Sequence, residues 1–337
     1  MKLAIVLLNW NGKLLLEQFL PSVVTHNSHN TDIYIADNAS TDDSLHFVEK
    51  NYPEVKIVRN KGNLGYAGGY NAALKEIDAD VFGLVNSDIE VTPNWLAPIF
   101  DAFLNEEKLA VAQPKILAYH NKNHFEYAGA CGGFLDFFGY PFCRGRILNT
   151  VEEDKGQYNN KTNIFWASGA CFFIRKSIFE AFHGFDADYF SHQEEIDLCW
   201  RIQNENYHIK AIPKSVVYHV GGATLEQANP KKTYLNFRNN LITILKNAPK
   251  NKTILIITAR LLLDGLAGLR FLFRLEPVHT WAIIKAHFAF YAQIPKVLNK
   301  RKQQKNKTSN FYYTKSVIWQ YFINQKKAFS QLKKTVR

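Results

Sequence analysis

Residues 84–88 read Leu84-Val85-Asn86-Ser87-Asp88, an apolar strand that breaks off into a polar cluster with a carboxylate at its tip. A carboxylate at the point where a parallel strand leaves an open α/β sheet faces the crevice in which such sheets bind ligands. The same ending recurs upstream. Leu3 to Asn9 runs into Asn9-Trp10-Asn11-Gly12, Asp32 to Ala36 into Asp37-Asn38-Ala39-Ser40-Thr41-Asp42, and Val55 to Val58 into Arg59-Asn60-Lys61-Gly62-Asn63-Leu64-Gly65. Helical stretches separate these runs: Leu14 to Val24, broken near Pro21; one through Phe47 and Val48, capped by Ser40 or Thr41; and Ala67 to Ile77. Strands alternating with helices of about ten residues predict βαβ units and a parallel sheet.

Farther along, a helix is expected from Trp95 to Leu104 and a strand near Val111. Residues 118–165 show no clean period and are expected to form strands and loops over the crevice. Ile164 to Ile174 reads as strand, turn, strand; Gln193 to Gln203 as a helix; Val216 to Val220 as a strand. From about residue 233 the pattern changes to long helices.

The 337 residues are 47% apolar, enough to fill a substantial core. Cys131, Cys143, Cys171 and Cys199 show no C-x-x-C pairing, which argues against zinc and a disulfide framework and suits a reducing compartment. The N-terminus lacks the apolar core of a secretory signal, so a cytoplasmic start is expected. Charge divides the chain unevenly. Residues 231–337 hold 22 Lys and Arg against two acids, Asp264 and Glu276, whereas the first 230 residues are net acidic. A mildly acidic body with a strongly basic tail predicts an anionic surface as the tail's partner.

Neither the G-x-G-x-x-G of a dinucleotide fold nor a P-loop follows the first strand, so phosphates must be managed otherwise, and a divalent cation is the usual substitute. Asp88 is the natural ligand for Mg²⁺ or Mn²⁺; its other reading is a helix cap. Asp37 can accept a hydrogen bond from the N3–H of a uracil or thymine, or merely close an Asx-turn. Asn60, Asn63, Gly65, Gly68 and Gly69 make a turn that a ribose or phosphate could approach closely. His219, in Val-Tyr-His-Val-Gly-Gly, can complete a metal shell, touch a phosphate or sit satisfied in the core. The sharpest local pattern is Ser191-His192-Gln193-Glu194-Glu195-Ile196-Asp197-Leu198-Cys199-Trp200-Arg201. On a helix Asp197 and Arg201 stand at i,i+4 and can hold the turn rigid, while Glu195 faces away from Glu194. The helix N-terminus favours ionised carboxylates, as a general base requires; an ordinary solvated acidic turn is the alternative.

Taken together, Asn9-Trp10-Asn11-Gly12, Asp37-Asn38-x-Ser40-x-Asp42, Asn60-x-x-Asn63-x-Gly65-x-Ala67-x-Gly69-x-Asn71, Asn86-Ser87-Asp88 and Glu194-Glu195-x-Asp197-Leu198-x-x-Arg201 resemble the family 2 glycosyltransferases. The likeness is to rhamnosyltransferase-like enzymes of bacterial cell-surface polysaccharide assembly. It implies a GT-A fold over residues 1–245, a Rossmann-like, mostly parallel sheet flanked by helices. It also implies inverting transfer from a dTDP- or UDP-linked sugar to a glycan or glycolipid hydroxyl. On that resemblance Asp37 binds the pyrimidine, Asp88 the metal and diphosphate, and Glu195 or Glu194 acts as base; Asn9, Asn11, Asn60, Asn63, Gly65, Asn71 and Asn86 are further candidates for holding the donor, and His219 for the metal. Two departures stand out. Glu195 replaces the family's usual Asp, and Asn86 stands where many relatives carry an acid.

Residues 246–337 are expected to form a basic amphipathic helical tail. On a helical wheel, Lys252, Arg260, Asp264, Arg270 and Arg274 fall within a sector of about 120°, with apolar residues filling most of the rest. Such a helix lies in a membrane interface instead of spanning it, which places the protein peripherally on the inner face of the cell membrane. A soluble helical subdomain packed on the body is the alternative. The charge would also suit nucleic acid, but no recognised module accompanies it, so no nucleic-acid partner is expected. A non-catalytic scaffold with a decayed metal motif is the second functional reading, and donor turnover separates it from the first.

Overall fold

The computed structural model describes residues 1–28, 30–221, 229–304 and 310–335. The first ninety residues alternate as expected: β1 (Leu3–Asn9), α1 (Lys13–Thr25), β2 (Thr31–Asp37), α2 (Ser44–Asn51), β3 (Lys56–Arg59), α3 (Gly65–Ala73) and β4 (Val81–Asn86). β1 pairs in parallel with β2 and β4, placing Asn9 opposite Asp37 and Leu8 opposite Asn86. Three polar strand ends therefore share one edge of the sheet.

Beyond β4 come β5 (Ile89–Val91), α4 (Ala97–Asn105) and β6 (Leu109–Ala118). A small meander follows, β7 (Gly133–Leu135), β8 (Pro141–Cys143), β9 (Arg146–Ile147) and β10 (Thr150–Val151). The body closes with β11 (Thr162–Asn163), β12 (Cys171–Arg175), α5 (Lys176–Ala181), α6 (Glu194–Asn204) and β13 (His208–His219). The main sheet runs β11-β13-β6-β12-β4-β1-β2-β3. β12 inserts antiparallel between β4 and β6, so the sheet is mixed on this side and parallel through β4-β1-β2-β3. β5 pairs antiparallel with the end of β13, His219 opposite Ile89. All four cysteines are buried and free.

Two local expectations need correction. Pro21 does not break α1, because Leu16, Phe19, Leu20 and Val23 bury one face of that helix against the body and this burial outweighs the lost backbone bond. Neither Ser40 nor Thr41 caps α2, which starts at Ser44 with no side-chain cap. The Ser40 hydroxyl instead accepts from the Asn9 side chain and the Asn11 backbone N–H, at 3.0 and 2.9 Å.

Among the described residues four α-helices follow, α7 (Pro230–Asn247), α8 (Lys250–Phe273), α9 (Pro277–Lys302) and α10 (Val317–Phe322). α7 continues through residue 245, where the sequence suggests a boundary, and its end is fixed to the body. Lys246 Nζ donates to Asp186 at 2.7 Å and to Asp197 at 2.9 Å, and Asn247 donates to Asp197 at 2.7 Å. Residues 310–335 return over the meander: Phe311 stacks on Trp200 at 4.7 Å, and the Val317 N–H donates to Asp136. The middle of the charged stripe of α8, Arg260 and Asp264, faces inward, while Arg270 and Arg274 at its end stay exposed. Arg260 is 3% exposed and Asp264 fully buried, because they pair with each other and Arg260 lies over the Tyr140 ring. Among the described residues, no helix is long and apolar enough to cross a membrane.

Burial alone would raise the Asp186 and Asp197 carboxyls, but the Lys246 charge, with Lys300 at Asp186 and Arg201 at Asp197, holds both below the usual carboxylate range. Lys246→Met leaves two buried carboxylates without their shared cation, and should cost about 3–5 kcal/mol, read as a lower urea midpoint at neutral pH. Depressed folded pKa values stabilise above the unfolded pKa near 4 and lose that stabilisation as pH falls through the folded pKa. The difference between wild type and variant should therefore shrink in acid; equal midpoints at neutral pH would contradict this role for Lys246.

Candidate active site

The strand ends β1 and β2 form a self-bonded turn. Asn9 is buried and its amide donates to Asp37, Ser40 and Ser44 at 3.1, 3.0 and 2.8 Å. Asp37, 3% exposed, also accepts from the Ser40 N–H at 3.0 Å, so the Asx-turn left open by the sequence is formed. Asn11 accepts from the Thr41 N–H at 2.7 Å. Asn60 donates to the Asn38 side chain and the Gly69 carbonyl, and Asn63 accepts from the Gly65 N–H. These bonds shape the rim of the crevice.

Gly65 and Asn71 hold the acidic segment in place. Gly65 has φ +69°, and a Cβ there would stand 2.5 Å from the Phe190 carbonyl oxygen. That carbonyl accepts from the Tyr66 N–H at 2.8 Å, while Asn71 exchanges two hydrogen bonds with the Phe185 backbone. Phe190, His192 and Gln193 all adopt positive φ immediately before Glu194, a strained stretch that the surroundings must fix. Asn239 on α7 does so, donating to the carbonyls of Tyr189, Ser191 and His192 at 3.1, 2.9 and 2.8 Å. Arg238 adds bonds to the carbonyls of Asp188 and Tyr189. Sequence reasoning missed this clamp. Its signal was Arg238-Asn239-Asn240, three polar residues interrupting a helix otherwise rich in apolar side chains.

Asp88 and His219 meet because β5 pairs with the end of β13. Asp88 Oδ1 lies 3.1 Å from His219 Nε2, and Glu126 Oε1 lies 3.3 Å from His219 Nδ1. Glu126 accepts in turn from the N–H groups of Ala128 and Gly129. It too escaped sequence reasoning, since it lies in the stretch without periodicity. Burial pulls the His219 pKa down, but the Glu126 charge and the bond to Asp88 raise it to about 10. Burial pushes Asp88 up, yet the hydrogen bond and charge of His219 outweigh this and keep it below the usual carboxylate range. The Asn86 amide stands 3.5 Å from His219 Nε2.

Asp88 and His219 would offer a divalent ion one carboxylate and one imidazole, the imidazole once it gives up the proton that Glu126 and Asp88 hold on it. Neighbouring ligands at roughly 2.1 Å on an octahedral ion stand about 3 Å apart, and carboxylate with imidazole is a donor set acceptable to Mn²⁺. Among the described residues, no three His, Cys, Asp or Glu side chains form a closed cation cage. Asp88 and His219 are the residues that would hold such an ion, with Glu126 behind the imidazole.

At the start of α6, Glu194 is buried and its Oε2 has no hydrogen-bond partner. Burial and the neighbouring Glu195 charge raise Glu194 well above its ordinary pKa. Burial also raises Glu195, against its backbone hydrogen bonds, to about 7. Asp197 accepts from Arg201 at 2.9 Å, the i,i+4 pair read from the sequence. Burial pushes the Cys143 thiol up to about 11, and the charges of Glu126 and Glu195 add to the rise. A separate hollow of 570 Å³, lined by Met1, Asp80 and Arg175, opens where β1 and β4 begin, away from Asp88.

The α/β sheet with its polar strand ends along one edge has the fold of the GT-A glycosyltransferases. The family model "Glycosyl transferase family 2" matches residues 4–182, and the chain belongs to that family. An N-acetylglucosaminyl-diphospho-decaprenol L-rhamnosyltransferase of Mycobacterium tuberculosis is 25% identical over 222 residues, 60% of this chain and 71% of the relative. GalNAc-T7, solved with UDP, GalNAc and Mn²⁺, superposes with a TM-score of 0.59 at 14% identity, covering 92% of this chain and 59% of that one. S. aureus TarS with UDP-GlcNAc gives 0.54 at 17% identity, covering 89% of this chain and 90% of its own.

Glu126→Gln removes the charge that raises His219. The His219 pKa should fall from about 10 toward its ordinary value, as followed by imidazole NMR titration. An unshifted titration would contradict the ion-pair role of Glu126.

Proposed function

We propose that the protein is an inverting glycosyltransferase that moves a sugar, rhamnose in the first instance, from a dTDP- or UDP-linked donor. The acceptor is a hydroxyl of a lipid-linked or cell-surface glycan, met at the inner face of the cell membrane, where the basic C-terminal helices rest on anionic lipid. The observation that carries the reading is the opposite treatment of two carboxyls, Asp88 after β4 and Glu195 at the start of α6. His219 holds Asp88 ionised, whereas burial raises Glu195 to about 7. Environments that separate two acids in this way separate their roles. One is suited to a cation and a diphosphate, the other to taking a proton near neutral pH. The rhamnosyltransferase relative supports the sugar and the lipid-linked acceptor.

In this reaction the acceptor hydroxyl attacks the anomeric carbon from the face opposite the nucleoside diphosphate. Glu195, or Glu194 beside it, takes the hydroxyl proton as the new C–O bond forms. The bond to the diphosphate breaks with its electron pair on the departing oxygen, so configuration inverts. A divalent ion held by Asp88 and His219 would neutralise charge on that phosphate; the Mn²⁺ in the GalNAc-T7 structure supports this. The pyrimidine is expected on the turn shaped by Asn9, Asn11 and Asp37, with Asn60, Asn63, Gly65 and Asn71 building the adjoining wall and Asn86 beside the diphosphate.

Purified protein should transfer sugar from dTDP- or UDP-sugars in a panel assay. Glu195→Gln should lower kcat by about 10²–10⁴, the usual worth of a general base, with donor affinity unchanged. Full turnover would move the base to Glu194. Because a base works deprotonated, wild-type kcat/KM should rise with pH through about 7, and a profile flat from pH 5 to 9 would refute that assignment. Asp88→Asn should weaken Mn²⁺ and donor binding together, measured by calorimetry; unchanged affinity for both would remove Asp88 from the site.

A further inference from the structure

α8 carries its polarity inside out. Ile254, Leu255, Leu262, Leu266, Leu269 and Phe273 are 81, 61, 69, 61, 50 and 86% exposed. At 100° per residue they share one face, while the opposite face buries Thr253, Ile256, Arg260, Asp264 and Gly268. α9 repeats the arrangement, exposing Trp281, Ile284, Phe288 and Tyr291 and burying Ala282, Ile283, Ala286 and Phe290. The joining turn presents Phe273, Leu275 and Val278. Both helices of the hairpin thus turn an apolar face outward, the ridge of the molecule, and exposed apolar surface of this kind marks an interaction site.

The ridge is fixed in this orientation by its polar underside. Arg260 pairs with Asp264, lies 3.7 Å from the Tyr140 ring centroid, and Asp264 also faces His287 at 3.4 Å. Rotating α8 to hide its leucines would carry the Arg260–Asp264 pair, which lies within that one helix, away from Tyr140 and His287.

We infer that the α8–α9 hairpin seats this ridge in the outer few ångströms of an anionic lipid leaflet, lying in the plane of the interface. The inference rests on the membrane placement in the functional reading and names the face that makes the contact. Charge selects lipid over a second copy of the chain. Lys252 and Arg270 flank the α8 ridge and Lys285 borders Trp281 and Ile284, in a segment with 22 basic residues and two acids. Two such surfaces repel each other, whereas acidic headgroups attract both. Trp281 and Tyr291 have the amphipathic rings that settle at headgroup depth. The buried Arg260 and Asp264 argue for lying on the leaflet instead of crossing it.

The test uses the full chain and vesicles of phosphatidylcholine with and without phosphatidylglycerol. Wild type should sediment with the acidic vesicles, at least tenfold more weakly with neutral ones, and its tryptophan emission should be quenched by brominated acyl chains. Leu262→Gln/Leu266→Gln/Leu269→Gln alters only exposed side chains and should weaken vesicle binding at least tenfold, with unchanged circular dichroism and melting. Binding by the triple variant equal to wild type would overturn the inference. So would a lipid-free dimer that the triple variant abolishes, with no vesicle binding by wild type. Sedimentation needs no sugar donor, so its failure leaves the transfer reaction standing. Glu195→Gln should still bind vesicles as wild type does, which separates the two claims.

Discussion

One buried ammonium joins the two halves of this molecule. Lys246, 4% exposed near the end of α7, bonds Asp186 ahead of the strained loop and Asp197 inside α6. Without it the two acids would repel in a medium that screens poorly. With it, α7 is registered against α6, and Asn239, two turns back, reaches three carbonyls of the loop between them. The angle at which Glu194 and Glu195 leave the start of α6 follows from that registry, so the placement of the proposed base depends on a helix outside the segment matched by the family model.

The same registry positions the C-terminal helices. Lys296 and Lys300 of α9 pair with Asp188, and Lys300 also with Asp186. Arg301 donates to the carbonyls of Leu245 and Ala248 at the end of α7. Part of the tail's positive charge is therefore consumed in holding the body. A surface contacted by α8 and α9 would be mechanically continuous with the loop before Glu194.

Much of the site was legible in the sequence because strand endings are local. A run such as Leu84-Val85 followed by Asn86-Ser87-Asp88 announces both the strand and the edge on which its polar residues appear. The Asp197–Arg201 pair was equally local and is formed. What escaped notice depends on long-range pairing. Glu126 became part of the site only because Gly221 and His219 return beside it, an approach close enough that a Cβ on Gly221 would stand 3.0 Å from its carboxyl oxygen. The antiparallel entry of β12 and the inward turn of Arg260 and Asp264 are likewise tertiary outcomes. A helical wheel reports which residues share a face, but the groups awaiting them, here Tyr140 on the body and His287 on α9, decide which face is hidden.

The most direct test of a single cleft is a crystal structure with Mn²⁺ and a non-hydrolysable UDP- or dTDP-sugar, with the metal located by anomalous scattering. The account predicts a manganese peak within coordination distance of Asp88 and His219, with the anomeric carbon lying between the diphosphate and the Glu195 carboxyl. A metal bound elsewhere, or a sugar directed away from α6, would contradict it.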